Sequence, residues 1–333
     1  MIDLFHQQWK KKLVRLDITH LFVDEAQDLS LAQWNMAHDI EEVAKTVYIA
    51  GDDDQSIFTW AGANVEHFKN LKGKRIFLDQ SYRCSKAVHD LAHQIISPIK
   101  RVEKDWKPRH VPGEIKRVNS ITEVDMSHGT WLVLARNQFL LDKATNYCVS
   151  EGWLFDAPGR DTNEEVRAIR TWENLRDGSR VSAEDARIVY SCMSSKHVKY
   201  GFKQSLDDLL DGTMLSIKDL EEDHGLTVTG PWLEALDKIS GISKEYVLRA
   251  EQLGEDIRKG MRIRISTIHA SKGAEADHVV LFQDVAALTR NSYDEDPDDE
   301  HRVWYVGVTR AKETVTFIDN ESKNTFYGKI YNV

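Results

Sequence analysis

Short apolar blocks alternate with polar ones along the first third of the chain. Leu21–Val23 is a compact apolar run that ends on two adjacent carboxylates, Asp24 and Glu25. Residues 30–44 carry helical periodicity, with Ser30 placed to cap the N-terminus. Thr46–Ala50 is a second apolar run, and it too stops on polar residues: Gly51, Asp52, Asp53, Asp54 and Gln55. Two strands joined by one helix make a βαβ unit, which sets both polar tips on one edge of a parallel sheet. Further strands are predicted at Ile76–Leu78, Trp131–Ala135, Met261–Thr267, Val279–Gln283 and Thr314–Ile318. Helices are predicted over 1–17, 85–97, 138–151 (closed by Gly152) and 163–176. Arg101–Arg117 is basic, contains Pro108 and Pro112, and reads as a loop. From about Ser179 to Lys259 helical patterns, glycines and mixed charge replace the alternation, which predicts a small helical insertion. NSYDEDPDDE at 291–300 reads as a solvated acidic loop.

Composition narrows the picture. The 333 residues allow two domains or more, and 41% hydrophobic content with 29% charged residues supports a packed core. A net charge of −10 argues against indiscriminate nucleic-acid binding but leaves room for a local basic groove. Lys10, Lys11, Lys12 and Arg15 on the first helix form either a solvated face or a DNA-contacting patch. Cys84, Cys148 and Cys192 lie far apart without a CxxC pair, which points to a reducing compartment and neither zinc nor disulfides. There is no apolar run long enough for a transmembrane helix, and MIDLFHQQWKKKLVRLD is not a signal peptide, so a cytoplasmic setting is expected (host cytoplasm if the source is viral).

The candidate chemistry starts at the first strand tip. Paired acids there are where α/β nucleotide hydrolases hold Mg²⁺ and position water, and acids at strand ends also form plain solvated turns. The motifs downstream change that weight. VDEAQD is followed by GDDDQSIFTWAGA, LDQSYRCS, STIHASKGAEADHVVL and VWYVGVTRAKETV, in that order. This series resembles the UvrD/Rep/PcrA group of superfamily 1 DNA helicases from about residue 18 to 318, with 180–260 only loosely covered.

The resemblance implies an α/β, RecA-like P-loop NTPase fold with parallel sheets and flanking helices. Residues 1–77 would be the later part of a first RecA-like domain, itself incomplete. Residues 78–178 and 260–333 would be a second such domain, interrupted by a reduced helical insertion at 179–259. ATP would bind between the two with Mg²⁺. Asp24 would hold the Mg²⁺ and Glu25 would orient and deprotonate the attacking water. Gln55 would sense the γ-phosphate, with Gln27 supporting the same water network. Arg83 and Arg310 would reach the γ-phosphate, their guanidinium forks matching its oxygens. Tyr82 would stack on adenine, Glu275 would bind the ribose, and Gly273 would permit close backbone approach. Trp60 would stack a base of single-stranded or tailed DNA, with Phe58 in the same loop; Thr267 and His269 would touch the DNA backbone.

The sequence departs from that family in one large respect. Its two Gly-Lys pairs, Gly73–Lys74 and Gly328–Lys329, do not sit in a GxxxxGK[ST] phosphate loop, and only about 20 residues precede LFVDEAQD. The expectation is a chain unable to bind ATP tightly or unwind DNA alone. Truncation, a split helicase whose P-loop lies on a separate chain, and a non-catalytic DNA- or partner-binding remnant are the alternatives. A smaller departure is Ala61, where relatives often carry Arg after the tryptophan.

Overall fold

The structure is a computed structural model that describes residues 2–157, 164–295 and 297–319. The chain opens with helix α1 (Ile2–Lys10), then strand β1 (His20–Val23), helix α2 (Leu31–Glu41) and strand β2 (Thr46–Ile49). α2 starts where its sequence says it should. Ser30 accepts from the Gln33 N–H while the Gln33 side chain bonds back to the Ser30 N–H, a reciprocal capping box. β1 and β2 pair in parallel, His20 opposite Thr46 through Val23 opposite Ile49, so both acidic tips face one edge as the βαβ reading requires.

A short helix α3 (Val65–Lys69) and then α4 (Lys86–Ile96) follow. α4 buries Val88, Leu91, Ala92, Ile95 and Ile96, a one-faced stripe at helical spacing. Next come β3 (Glu114–Val118), β4 (Trp131–Ala135), α5 (Leu141–Glu151), β5 (Phe155–Asp156) and α6 (Glu164–Arg176). β6 (Val181–Ser182), α7 (Ala183–Ser191), β7 (Met214–Leu215), α8 (Ile217–Asp223), α9 (Trp232–Ala235) and α10 (Gly241–Gln252) make a mostly helical stretch. The chain then returns to strands and helices with β8 (Ile263–Thr267), β9 (Ala276–Phe282), α11 (Ala287–Glu295), α12 (Pro297–Val308) and β10 (Ala311–Ile318). Six strands form a parallel sheet in the order β3-β10-β9-β4-β8-β5. β4 is buried at every position, as a central parallel strand covered on both faces must be.

Two compact units emerge. The first comprises the described parts of Met1–Glu123, Leu132–Leu140 and Ser266–Val333. Its core gathers α4, α12 and the inner strands around Trp304, Leu134 and Phe317. The second comprises Val124–Trp131 and the described parts of Leu141–Ile265. It has its own core around Trp172, Tyr190, Leu220 and Val247. No helix among the described residues is long and apolar enough to cross a membrane.

Four local expectations change. The helix predicted over 1–17 ends at Lys10, and 11–17 is not helical. Ile76–Leu78 forms no strand and is exposed, because three residues without a paired neighbour cannot hold extended structure. The stretch 101–117 is not all loop: Glu114–Val118 pairs with β10 at the sheet edge. Gly113, at φ 67°, leads into it, and a Cβ there would lie 1.9 Å from the Ser85 hydroxyl. The acidic tract at 291–300 is helical at its described positions. Pro297 suits the first turn of α12, and Asp298, Asp299 and Glu300 complement the positive end of its dipole.

Candidate active site

The tip of β1 turns sharply. Glu25 adopts left-handed backbone (φ 50°, ψ 37°), and its N–H donates to Asp24 Oδ1 at 2.8 Å. Both carboxylates are exposed, and buried Gln27 lies behind them. The Gln27 amide donates to Glu25 Oε2 at 2.5 Å, and its oxygen accepts from the Asp52 N–H at 3.0 Å. One amide thereby ties the tip of β1 to the tip of β2, which only a group with both donor and acceptor can do.

Cations from the later motifs converge on this edge. Lys272 ion-pairs with Asp28, lies 3.3 Å from Glu25 and donates to the Gln55 carbonyl at 2.9 Å. Burial raises the Asp28 carboxyl above its ordinary value, and the bond from Lys272 opposes that rise. Arg310 is 2% exposed, and its Nη2 donates to Gln55 Oε1 at 3.0 Å. Its Nε and Nη1 donate to the carbonyls of Val306 and Ala274, and Nη2 also reaches the Thr309 hydroxyl. Burial and the neighbouring Arg83 pull Arg310 down to about 10, so it stays charged at neutral pH. The Gln55 amide also donates to Asp52 Oδ2 at 2.8 Å, so Gln55 sits between an acid and an arginine.

Arg83 lies on the other side of Arg310. It donates to Glu275 Oε2 at 2.8 Å and to the Thr309 carbonyl at 3.4 Å. Glu275 also pairs with Lys312 at 2.9 Å, and hydrogen bonds from Lys312 and Arg83 hold its carboxyl below the ordinary value. Gly273 has φ 82°, a conformation that favours glycine, while a Cβ there would meet nothing within 4 Å. Tyr82 is 86% exposed.

Beneath the edge, Asp52, Asp53 and Asp54 are neutralised from the basic stretch that follows α4. Arg101 forks onto Asp54 at 2.8 and 2.6 Å, and Lys104 ion-pairs with all three acids. Burial works to raise Asp52, but the Lys104 ammonium outweighs it and holds that carboxyl low. Burial wins at Asp54, whose carboxyl is raised despite Arg101.

The aromatic loop adjoins this network. Phe58 is partly buried, with Trp60 6.3 Å from it and 75% exposed. His269 meets the Phe58 ring edge-on at 6.1 Å, and the Lys272 ammonium lies 5.5 Å from the same ring. Burial and the charge of Arg136 push His269 down to about 4, so it is neutral at pH 7. Thr267 accepts the Ala270 N–H at 3.3 Å and so shapes the turn that carries His269.

Glu25, Gln27, Gln55 and Arg310 thus share one network, Arg83 and Glu275 pair beside it, and Phe58, Trp60 and His269 cluster next to it. Among the described residues, Asp24 touches it through the Glu25 backbone. Sequence reasoning gave no role to Asp28, though it follows the acid pair, and passed over Lys272, whose signal was its position immediately before Gly273. It also passed over Arg101 and Lys104, hidden in what read as a basic loop.

Two family models match the chain. The UvrD/REP helicase N-terminal domain covers residues 1–75, and the UvrD-like helicase C-terminal domain covers residues 214–322. Among curated proteins the chain is similar to DNA helicase II of Rickettsia typhi, 23% identical over 405 aligned positions that cover 92% of this chain and 61% of that one. It is similar to the ATP-dependent DNA helicase srs2 of Schizosaccharomyces pombe, at 22% identity over 89% of this chain and 46% of that one. A shorter match, 32% identical over 99 positions, covers 28% of this chain and 14% of the ATP-dependent DNA helicase Rep of Buchnera aphidicola. The chain spans about three fifths of the length of its Rickettsia relatives.

Proposed function

Because this chain belongs to the UvrD/Rep/PcrA group of helicases, we propose that its first unit carries much of the site of an ATP-dependent 3′→5′ DNA translocase. The observation that carries this reading is the convergence of Lys272 and Arg310 on Glu25, Asp28 and Gln55. The 3′→5′ direction rests on the family alone. The boundary between two RecA-like domains is proposed near residue 77, with 78–178 and 260–333 in the second domain and 179–259 as its insertion. The ion pairs just described would then cross that boundary, which is where a nucleotide-driven closure would act.

The residues suit ATP and Mg²⁺. Asp24 offers an exposed, hard oxygen donor for Mg²⁺, and the buried Asp28 Oδ1 is an orphaned acceptor among the described residues. When bound, Mg²⁺ would neutralise phosphate charge and ATP would supply the phosphoryl group. Glu25, oriented by Gln27, would take the proton of the attacking water. Arg310, already fixed, would face the γ-phosphate, and Arg83 would exchange Glu275 for phosphate. Tyr82 would stack on the base and Glu275 would take the ribose. Trp60 and Phe58 would hold a base of single-stranded DNA while Thr267 and His269 line its backbone.

The phosphate cradle has to come from polypeptide outside these 333 residues, on the same chain or a separate one, since no GxxxxGK[ST] run lies within them. Uncovered apolar surface supports such a partner segment. Phe22 (71% exposed) and Tyr48 (53% exposed) stack on one face of β1–β2 at 5.0 Å, and Ile76, Phe77 and Leu78 are exposed as well. Parallel strands are normally covered on both faces. The second reading, a non-catalytic DNA- or partner-binding remnant, is favoured by the missing phosphate loop alone.

The test is single-strand-stimulated ATP hydrolysis, measured for the chain alone and with a P-loop-bearing polypeptide from the same source. The expected result is no turnover alone and restored turnover on mixing, lost again in Glu25→Gln. Turnover by the chain alone would overturn the need for a partner. DNA binding by the mixture without restored turnover would favour the remnant, and absence of DNA binding by the mixture would overturn the translocase reading.

A further inference from the structure

His38 and His67 stand on different helices of the first unit and face each other. His38 lies in the last turn of α2 and His67 in α3, with their Nε2 atoms 3.1 Å apart. The other nitrogen of His38, Nδ1, is 3.0 Å from the Glu41 carboxylate. An ionised carboxylate only accepts, so Nδ1 carries the proton and Nε2 turns a lone pair toward His67. A carboxylate behind one nitrogen is the arrangement that prepares an imidazole to ligate a metal through the other. Both rings are held from behind. The buried Trp34 indole lies 4.6 Å from the His67 ring and 5.9 Å from the His38 ring. Asn64 caps α3 by accepting the His67 N–H at 2.8 Å.

The geometry points to a site for a divalent transition cation of the zinc class, chelated by Nε2 of His38 and Nε2 of His67 across α2 and α3. Zinc–imidazole bonds of about 2.0–2.1 Å at a tetrahedral angle separate the two nitrogens by roughly 3.3–3.4 Å. The rings therefore need to part by only a few tenths of an ångström. Without metal, the short distance is explained by one proton, donated by His67 Nε2 to His38 Nε2; the cation takes the place of that proton, and His67 carries its N–H on Nδ1 instead. Imidazole donors favour Zn²⁺, Cu²⁺ or Ni²⁺ over Mg²⁺ and Ca²⁺. The charged groups nearby are Glu41 on α2 and the Lys69–Glu66 ion pair on α3. Two protein ligands with water in the other positions make an exchangeable site, not a closed structural one. Its effect would be to staple α2, which follows the Asp24–Asp28 tip, to α3, which follows the Phe58–Trp60 loop.

The experiment is calorimetric titration of the EDTA-treated full chain with ZnCl₂, alongside thermal unfolding with and without ZnCl₂. One equivalent should bind and raise the unfolding midpoint, and MgCl₂ should do neither. His38→Ala and His67→Gln should each abolish the zinc response, and Glu41→Gln should weaken it about tenfold. His89→Ala, on α4, should leave it unchanged. Circular dichroism checks that each variant is folded, and the half-exposed position of His38 makes His38→Ala the safer of the pair. Binding of zinc that is equal in the wild type, His38→Ala and His67→Gln would overturn the site, as would no binding up to millimolar zinc.

Discussion

In the first unit the buried side chains include Gln27, Asp53, Asp54, Glu300, Arg302 and Arg310. In the second, the buried polar side chains among the described residues are Thr171 and Ser243, and its core is otherwise aliphatic and aromatic. No charged side chain of the second unit is fully buried among the described residues, from the exposed fork of Arg167 on Asp185 and Glu184 to the half-buried Arg262–Glu255 pair. Burying charge is costly unless every group is paired, and an apolar replacement is often as stable. A fold that nevertheless buries several ionic groups holds them for something other than stability. The first unit is where charge is held at fixed positions, and the second is a mostly helical body with an apolar core.

The largest test of that contrast is Lys104→Ala. It leaves Asp52, Asp53 and Asp54 without their shared ammonium and should cost about 3–5 kcal/mol in urea unfolding. A loss below about 1 kcal/mol would mean the buried cluster behaves like a surface one. The next test uses pH. His269 is pushed down to about 4, below its usual 6.5. Between those values the unfolded chain takes up a proton that the fold refuses, so stability falls as pH drops through that window. The total is roughly 3 kcal/mol. His269→Gln should flatten the decline between pH 6.5 and 4 in a series of denaturant midpoints. Trp60→Ala comes third. It should weaken single-stranded DNA binding by about 1–3 kcal/mol in a fluorescence titration while leaving the unfolding midpoint in place, because the ring is already exposed. The smallest effect belongs to the second unit. Arg167→Ala removes an exposed fork and should cost less than about 1 kcal/mol by the same urea assay.

The sequence made the β1–α2–β2 unit readable because apolar runs, a capping box and acidic tips all agreed there. Local signals failed where tertiary context decided. Ile76–Leu78 has strand composition but no pairing neighbour among the described residues. The acids at 298–300 look solvated in isolation, yet they open a helix whose next turns are buried, and Glu300 itself is buried against Arg136. α6 was readable as a helix from its own periodicity, but its packing partners α7, α9 and α10 were not. The site was legible wherever a motif supplied neighbours for a residue. Lys272 and Lys104 escaped because a lysine in sequence looks like surface, and only packing reveals which ammonium is spent on buried carboxylates.

Arg310 and Arg83 differ in freedom. Arg310 donates to Val306, Ala274, Thr309 and Gln55 at once, so its rotamers were surrendered when the chain folded. It can act as a fixed benchmark, with almost no entropy left to lose when an anion reaches it. Arg83 is tethered by one carboxylate and one carbonyl on a more open flank. Of the two arginines, it is the one with conformations left to exchange, and arrival of a ligand would be registered there while Arg310 stays still.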